Sequence, residues 1–236
     1  MKILLTGHKW FLWNEFIKAY GAGYEIVGYD IQDGDDLTDI EKLKKVSIGC
    51  SMIVHLAAIP KPIEGISLNE YFQVNVVGTK NILETALENN IKRVIYASST
   101  TIYGIERGIP FQTPINEQQP FISQYLQADD LHCRECDLSY HTSKVMAEQL
   151  LAWYGFSKKI QTVALRFWPI GKIFLGTSVS INNATQAIDL AIKYRGKLYY
   201  EAFSVVDDLP HIDISKIKNM LGYVPETFEY SAKDVH

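Results

Sequence analysis

Two stretches decide the fold, Lys2-Ile3-Leu4-Leu5-Thr6-Gly7 and Tyr24-Glu25-Ile26-Val27-Gly28-Tyr29-Asp30. Each is a short apolar run of strand character. Between them Trp10, Phe11, Trp13, Phe16, Ile17 and Tyr20 recur at helical spacing. Strand, glycine turn, helix, strand, acid is the order of a dinucleotide-binding unit, with the acid roughly 20 residues beyond the turn. In such a unit the Asp30 carboxylate accepts hydrogen bonds from the adenosine ribose hydroxyls. It would repel a 2′-phosphate, so the expected cofactor is NAD, with NADP disfavoured.

The turn itself departs from the pattern. A working fingerprint here would read Gly-x-x-Gly-x-x-Gly, and the chain has Gly7-His8-Lys9-Trp10-Phe11-Leu12-Trp13. The second glycine lets the backbone approach a pyrophosphate and the third lets helix and strand pack closely. Trp13 at the third place reads as core. Trp10 at the second starts a side chain where a phosphate should sit. Either the loop takes another route and uses Lys9 on the phosphates, or dinucleotide binding is weakened or lost.

Downstream, a polar turn leads through Asp36-Leu37 into a charged helix that ends near Gly49. Met52-Ile53-Val54-His55-Leu56-Ala57-Ala58 reads as a third strand ending in small residues. Small side chains at the carboxyl end of a parallel strand leave room for a ligand across the sheet; close-packed core explains them equally well. The spacing predicts a long helix over 69–89, its apolar surface interrupted by Asn75, and a fourth strand over 93–97. That strand runs into Ser98-Ser99-Thr100-Thr101, a hydroxyl cluster at the sheet's ligand edge or simply a turn. Residues 105–138 read as irregular, and a loop of that length is usually functional. Beyond it lie a strand over 160–167, a helix over 182–194, one or two short strands in 197–206, and a helix from Asp213 to Gly222. The expected architecture is α/β: a doubly wound parallel sheet over 1–168 and a reduced substrate lobe over 169–236, interleaved with it.

Ser139-Tyr140-His141-Thr142-Ser143-Lys144 opens another helical run. Residues four apart share a helix face, so the Tyr140 phenol and the Lys144 ammonium are expected to point the same way. A neighbouring positive charge favours the phenolate and brings a tyrosine, ordinarily near pKa 10, toward the range of a general base.

Bulk properties narrow the function classes. With 47% hydrophobic and 21% charged residues the 236-residue chain is an ordinary globular protein, and a formal net charge of -4 without a basic block argues against nucleic acid or an anionic membrane as partner. No apolar run approaches a membrane span, and the N-terminal one breaks too early for a signal peptide. Three cysteines fit a reducing compartment, so the expected setting is the cytoplasm. Cys133-x-x-Cys136 lacks the second pair that zinc would require. No metal is expected; the two read as loop cysteines, reduced or able to form a local disulfide.

Taken together the chain resembles the extended short-chain dehydrogenase/reductases, in particular the NAD-dependent epimerase/dehydratase branch that acts on sugars and sugar nucleotides. The matching pieces are Thr6-Gly7, Asp30, Asp36-Leu37, His55-Leu56-Ala57-Ala58, Asn75 with Gly78-Thr79, Ser98-Ser99 with Tyr103-Gly104, Tyr140 with Lys144, and Leu165-Arg166-Phe167. The resemblance implies that Tyr140 is the general acid/base on a substrate hydroxyl, that Lys144 holds the nicotinamide ribose and lowers the Tyr140 pKa, and that Ser99 hydrogen-bonds the reacting oxygen. It implies a cofactor path along Gly7, Phe11, Leu12, Asp30, Asp36, Leu37, Leu56, Ala57 and Ala58, with Asn75 acting indirectly. Hydride redelivery to the other face would give an epimer; release of the ketone would give a dehydrogenase. A homodimer through 69–89 and 140–154 is also implied. Two further departures stand out. Trp168-Pro169 replaces the family's usual substrate-holding asparagine, and the short C-terminal lobe fits a smaller sugar or sugar acid. A second reading stays open, a non-catalytic relative that keeps the fold and binds a ligand or partner.

Overall fold

Along β1 (Lys2–Thr6) successive side chains enter opposite faces of one sheet. Ile3 and Leu5 join an apolar cluster with Val54, Ile95, Val163 and Leu165, while Leu4 joins a second with Ile53, Val94 and Ala164. A strand apolar on both sides must be covered on both sides, which is why these runs are continuous rather than alternating. Residues 1–124, 133–171 and 177–226 are described in this computed structural model. The sheet comprises β1, β2 (Glu25–Tyr29), β3 (Met52–His55), β4 (Arg93–Ser99), β5 (Gln161–Phe167) and β6 (Tyr199–Val205), all parallel, in the order β2-β1-β3-β4-β5-β6.

Helices α1 (Phe11–Tyr20), α6 (Ile181–Lys193) and α7 (Ser215–Leu221) cover the first cluster's face. The other carries α2 (Ile40–Val46), α4 (Gly78–Glu88) and α5 (Glu135–Phe156). The chain leaves β1 to one side and returns to place β3 on the other. This reversal opens a crevice at the carboxyl ends of the strands, where open α/β sheets bind ligands.

Several elements differ informatively from their sequence reading. The predicted helix over 69–89 is α3 (Leu68–Tyr71) and α4 joined by a π-helical stretch, Phe72–Val77, which contains Asn75. Ser98 and Ser99 lie within β4 rather than in a turn, pairing with Arg166 and Phe167 of β5. Helix α5 starts five residues ahead of Tyr140, so Cys136 is a buried first-turn residue and not a loop cysteine; Cys133 just precedes the helix, and both are free thiols. Helix α7 begins after Asp213, whose carboxylate accepts the Ser215 N–H at 2.8 Å, and ends at Gly222 in the left-handed conformation. Residues 172–176, His132 and those from 227 onward lie outside the described residues.

Candidate active site

Gly7 sets the floor of the crevice. Its φ is +75°, and a Cβ there would lie 2.7 Å from the Ala57 nitrogen and 2.9 Å from the Ala57 Cα, so only glycine lets β1 turn this close to the end of β3. Beyond it a cavity of about 560 Å³ runs along the strand ends. Gly7, Phe11 and Asp30 line it, followed by Asp36 and Leu37 on one side and Leu56, Ala57 and Ala58 on the other. The residues expected along a cofactor path are thus brought together, with two exceptions. The Leu12 side chain is fully buried in the apolar core, leaving only its backbone N–H in the first turn of α1 to face a ligand. Asn75 also stands behind the cavity wall.

Trp10 does not fill this space. It precedes α1 in an extended conformation, its indole packs against the core cluster and meets Phe11 edge-on at 5.0 Å, and the cavity continues beside it. Trp13 is fully buried and stacked on Phe16 at 4.4 Å, as expected of core. Asp30 is buried at the end of β2. Its two carboxylate oxygens accept the Lys9 and Gln32 backbone N–H groups, each at 2.9 Å. The Lys9 ammonium pairs with Asp33, and His8 lies 3.2 Å from the same carboxylate.

Asn75 works through its neighbours. Its amide accepts the Ile59 N–H at 2.8 Å, donates to the Ile59 carbonyl at 3.2 Å and donates to Ser143 Oγ at 2.9 Å. The loop after β3 is thereby pinned to α5, and the π-helical turn is what projects the amide there. Behind it runs a buried polar line: Thr6 Oγ1 to His55 Nδ1 at 2.7 Å, His55 Nε2 to Thr79 Oγ1 at 3.1 Å, and Thr79 donating to the Asn75 carbonyl at 2.6 Å. Burial pushes His55 down to about 3, so this imidazole is neutral and serves as a hydrogen-bond bridge between β1, β3 and α4.

Tyr140 and Lys144 of α5 converge with Ser99 at the carboxyl end of β4, and none of the three lines the cavity. The Tyr140 phenol is buried, the Ser99 and Thr101 hydroxyls lie close enough to favour its anion, and its ring meets that of Tyr71 edge-on at 6.2 Å. The Lys144 ammonium donates to the Ala97 carbonyl at 3.0 Å and lies 4.9 Å from the Tyr96 ring and 6.0 Å from the Tyr140 ring. The expected lowering of the tyrosine is not seen. Burial raises the phenol above its ordinary value, against the opposing pull of the Ser99 and Thr101 hydroxyls. Burial also pushes Lys144 down to about 8, with Glu148 pulling the other way. Without cofactor the phenol is therefore protonated.

Glu148, one turn beyond Lys144, is fully buried and forms an ion pair with Arg166 of β5, while Ser98 Oγ and Tyr200 Oη donate to it at 2.5 and 2.8 Å. Arg166 also donates to Tyr103 Oη at 2.8 Å. This network fixes α5 against β4, β5 and β6 and sets the height of Lys144. Sequence reading missed Thr101, Glu106 and Glu148. Thr101 sits in the hydroxyl cluster already noted, whereas Glu106, in the irregular stretch, carried no signal.

A doubly wound parallel sheet with a glycine turn after its first strand, a buried acid after its second, and a Ser/Tyr/Lys group at its carboxyl edge is the arrangement of a short-chain dehydrogenase/reductase. The chain belongs to the NAD dependent epimerase/dehydratase family, whose model matches residues 4–170. Its relatives include an uncharacterized protein of Methanocaldococcus jannaschii, 33% identical over 162 residues, 66% of this chain and 42% of the other. Another is a UDP-glucose 4-epimerase of Lactobacillus helveticus, 24% identical over 186 residues, 78% of this chain and 47% of the epimerase. The chain thus spans less than half the length of these two relatives. Among solved structures, a short-chain dehydrogenase/reductase superfamily protein from Agrobacterium tumefaciens with bound NAD superposes with a TM-score of 0.79 at 18% identity, covering 97% of this chain and 93% of that one. The residues present fit a dinucleotide: the cavity is continuous from Asp36 to Ala58, and Gly7 holds the close approach that a Cβ would block. Among the described residues no helix is long and apolar enough to cross a membrane.

Proposed function

We propose that the chain is an NAD-dependent oxidoreductase acting on the hydroxyl of a sugar or sugar derivative, as an epimerase, dehydratase or dehydrogenase. The observation that carries this reading is that Ser99, approached by Tyr140 and Lys144 of α5, ends β4 on the same carboxyl edge of the sheet at which the cavity past β1, β2 and β3 opens. Such a cluster has little structural reason to sit at the open edge of a sheet. Bound NAD would supply the hydride acceptor. Asp30 would hold the adenosine ribose and disfavour a 2′-phosphate, while Asp36 and Leu37 flank the adenine. Lys144 would reach the nicotinamide ribose from Ala97.

Tyr140 carries the proton. Because burial keeps the phenol protonated, Tyr140 is set to give that proton to a carbonyl oxygen, leaving the phenolate; in the oxidising direction it is this phenolate Oη, its proton first lost to solvent, that would receive the hydroxyl proton. Ser99 and Thr101 lie beside the phenol and are placed to hold the reacting oxygen with it. The NAD-bound and UDP-sugar-bound short-chain neighbours and the epimerase relatives support this chemistry.

The test has two parts. Titration with NADH and with NADPH, read by energy transfer from the tryptophans, should show the tighter complex with NADH; absence of binding at millimolar cofactor favours the non-catalytic reading. Tyr140→Phe should then abolish turnover while leaving the NADH dissociation constant within about twofold, a shift of under half a kcal/mol. Loss of binding together with turnover would mean that the phenol is structural.

A further inference from the structure

Another cavity, of about 310 Å³, opens beyond Thr100 and Thr101, past the end of β4. Thr101 links the phenol to it: its hydroxyl donates to Ser99 Oγ at 3.1 Å, is close enough to act on the Tyr140 phenol, and lines this cavity. Glu106 lines it too, close enough for its carboxylate to act on the same phenol. The remaining wall is largely apolar, with the Trp168 and Phe111 rings and Ile115, and His211 at the edge. One Glu106 oxygen is buried without a hydrogen-bond partner, although His141 Nε2 lies 3.2 Å away, and the Trp168 indole N–H is likewise buried without an acceptor.

These features select by charge and size. About 310 Å³ is at the small end of ligand cavities, which run from roughly 300 to 1,000 Å³. Aromatic faces suit the C–H side of a sugar ring, and a carboxylate accepts hydroxyl donors strongly. The same carboxylate in a confined, largely apolar space repels an anionic ligand group.

Resting on the oxidoreductase reading above, we infer that the compound taken here is a small uncharged sugar or polyol, bearing neither carboxylate nor phosphate, with its apolar face on Trp168 and Phe111 and a hydroxyl donated to Glu106. The chain's own acid, Glu106 on the wall that Thr101 shares, thus sets its substrate class apart from sugar acids and from nucleotide diphosphates. Trp168, which stands where an asparagine was expected, contributes ring surface in place of an amide.

The experiment is a binding measurement that needs no cofactor or turnover. Matched pairs of aldose and uronate (glucose and glucuronate, galactose and galacturonate, mannose and mannuronate), together with UDP-glucose, are titrated by calorimetry and by quenching of tryptophan fluorescence. In at least one pair the aldose should bind, and bind about tenfold or more tightly than its uronate, with UDP-glucose weaker still. Glu106→Gln, nearly isosteric, should remove the discrimination, gaining about tenfold for the uronate and losing severalfold for the aldose. Binding of no aldose at tens of millimolar, tighter binding of any uronate or of UDP-glucose, or unchanged discrimination in Glu106→Gln overturns the inference. The oxidoreductase reading fails separately, by absence of NADH binding in the titration above.

Discussion

Lys144→Met is expected to make the protein more stable and less able to bind cofactor. Lys144 is almost wholly buried, and burial lowers it from 10.5 to about 8. At about 1.4 kcal/mol per pKa unit, holding this ammonium charged in the folded protein costs about 3 kcal/mol. Methionine has similar length and no charge, but it leaves the Ala97 carbonyl without its donor, an acceptor lost at about 1 kcal/mol. The net gain is about 2 kcal/mol at neutral pH, or an upward shift of roughly 4–8 °C in melting temperature for a chain of this size. The sign of the pH dependence follows from the folded protein holding the proton less tightly than the unfolded chain. The cost is full below about pH 8, falls as pH rises through the interval from 8 to 10.5, and is gone above it. Urea denaturation of both proteins from pH 6 to above pH 10 measures the difference, which should shrink over that interval. A variant less stable than the parent at pH 7, or a gain that does not change with pH, would refute the account of Lys144 as a buried, unfavourably charged group. The same variant should bind NADH about tenfold or more weakly, since its ammonium is the donor proposed for the ribose.

Two further outcomes test the frame that holds these groups. Glu148→Gln leaves Arg166 buried without its counter-charge, and should destabilise by about 3–5 kcal/mol in the same assay; the double change with Arg166→Met should cost clearly less than the sum of the single changes if the two act as a pair. Gly7→Ala forces a Cβ to 2.7 Å from the Ala57 nitrogen at a positive φ, so left-handed strain of about 1–2 kcal/mol and overpacking of about 1–3 kcal/mol should together cost about 2–5 kcal/mol. A Gly7→Ala protein as stable as the parent would mean that the turn relaxes away from β3.

How far the chain could be read in advance depended on the range of the forces involved. The order of strands and helices was legible because continuous apolar runs and helical periods are local consequences of burial on both faces of a sheet. The placement of Ser99 and Asp30 at strand ends and of Tyr140 and Lys144 one helical turn apart was legible because strand ends and helical spacing are local properties of the sequence. What stayed hidden was set by contacts between distant segments. Trp10 looked like an obstruction when judged only against the glycine it replaces, yet its indole turns aside onto the core and lines the cavity. The environment of Tyr140 was misjudged for the same reason: helical spacing places an ammonium nearby, but the balance is set by burial and by hydroxyls from β4 and the turn after it. The π-helical turn at Asn75 has no sequence period of its own. It becomes intelligible once the amide is seen holding Ile59 and Ser143, groups 16 and 68 residues away. Glu106 is the extreme case, an acid in an irregular stretch that gains meaning only because the fold brings Thr101, Trp168 and the phenol around it. Where a chemistry dictates residue types and their spacing, sequence points to candidates for it. Substrate choice is fixed by whichever side chains the loops deliver to one wall, and for that the folded geometry is the first place the information exists.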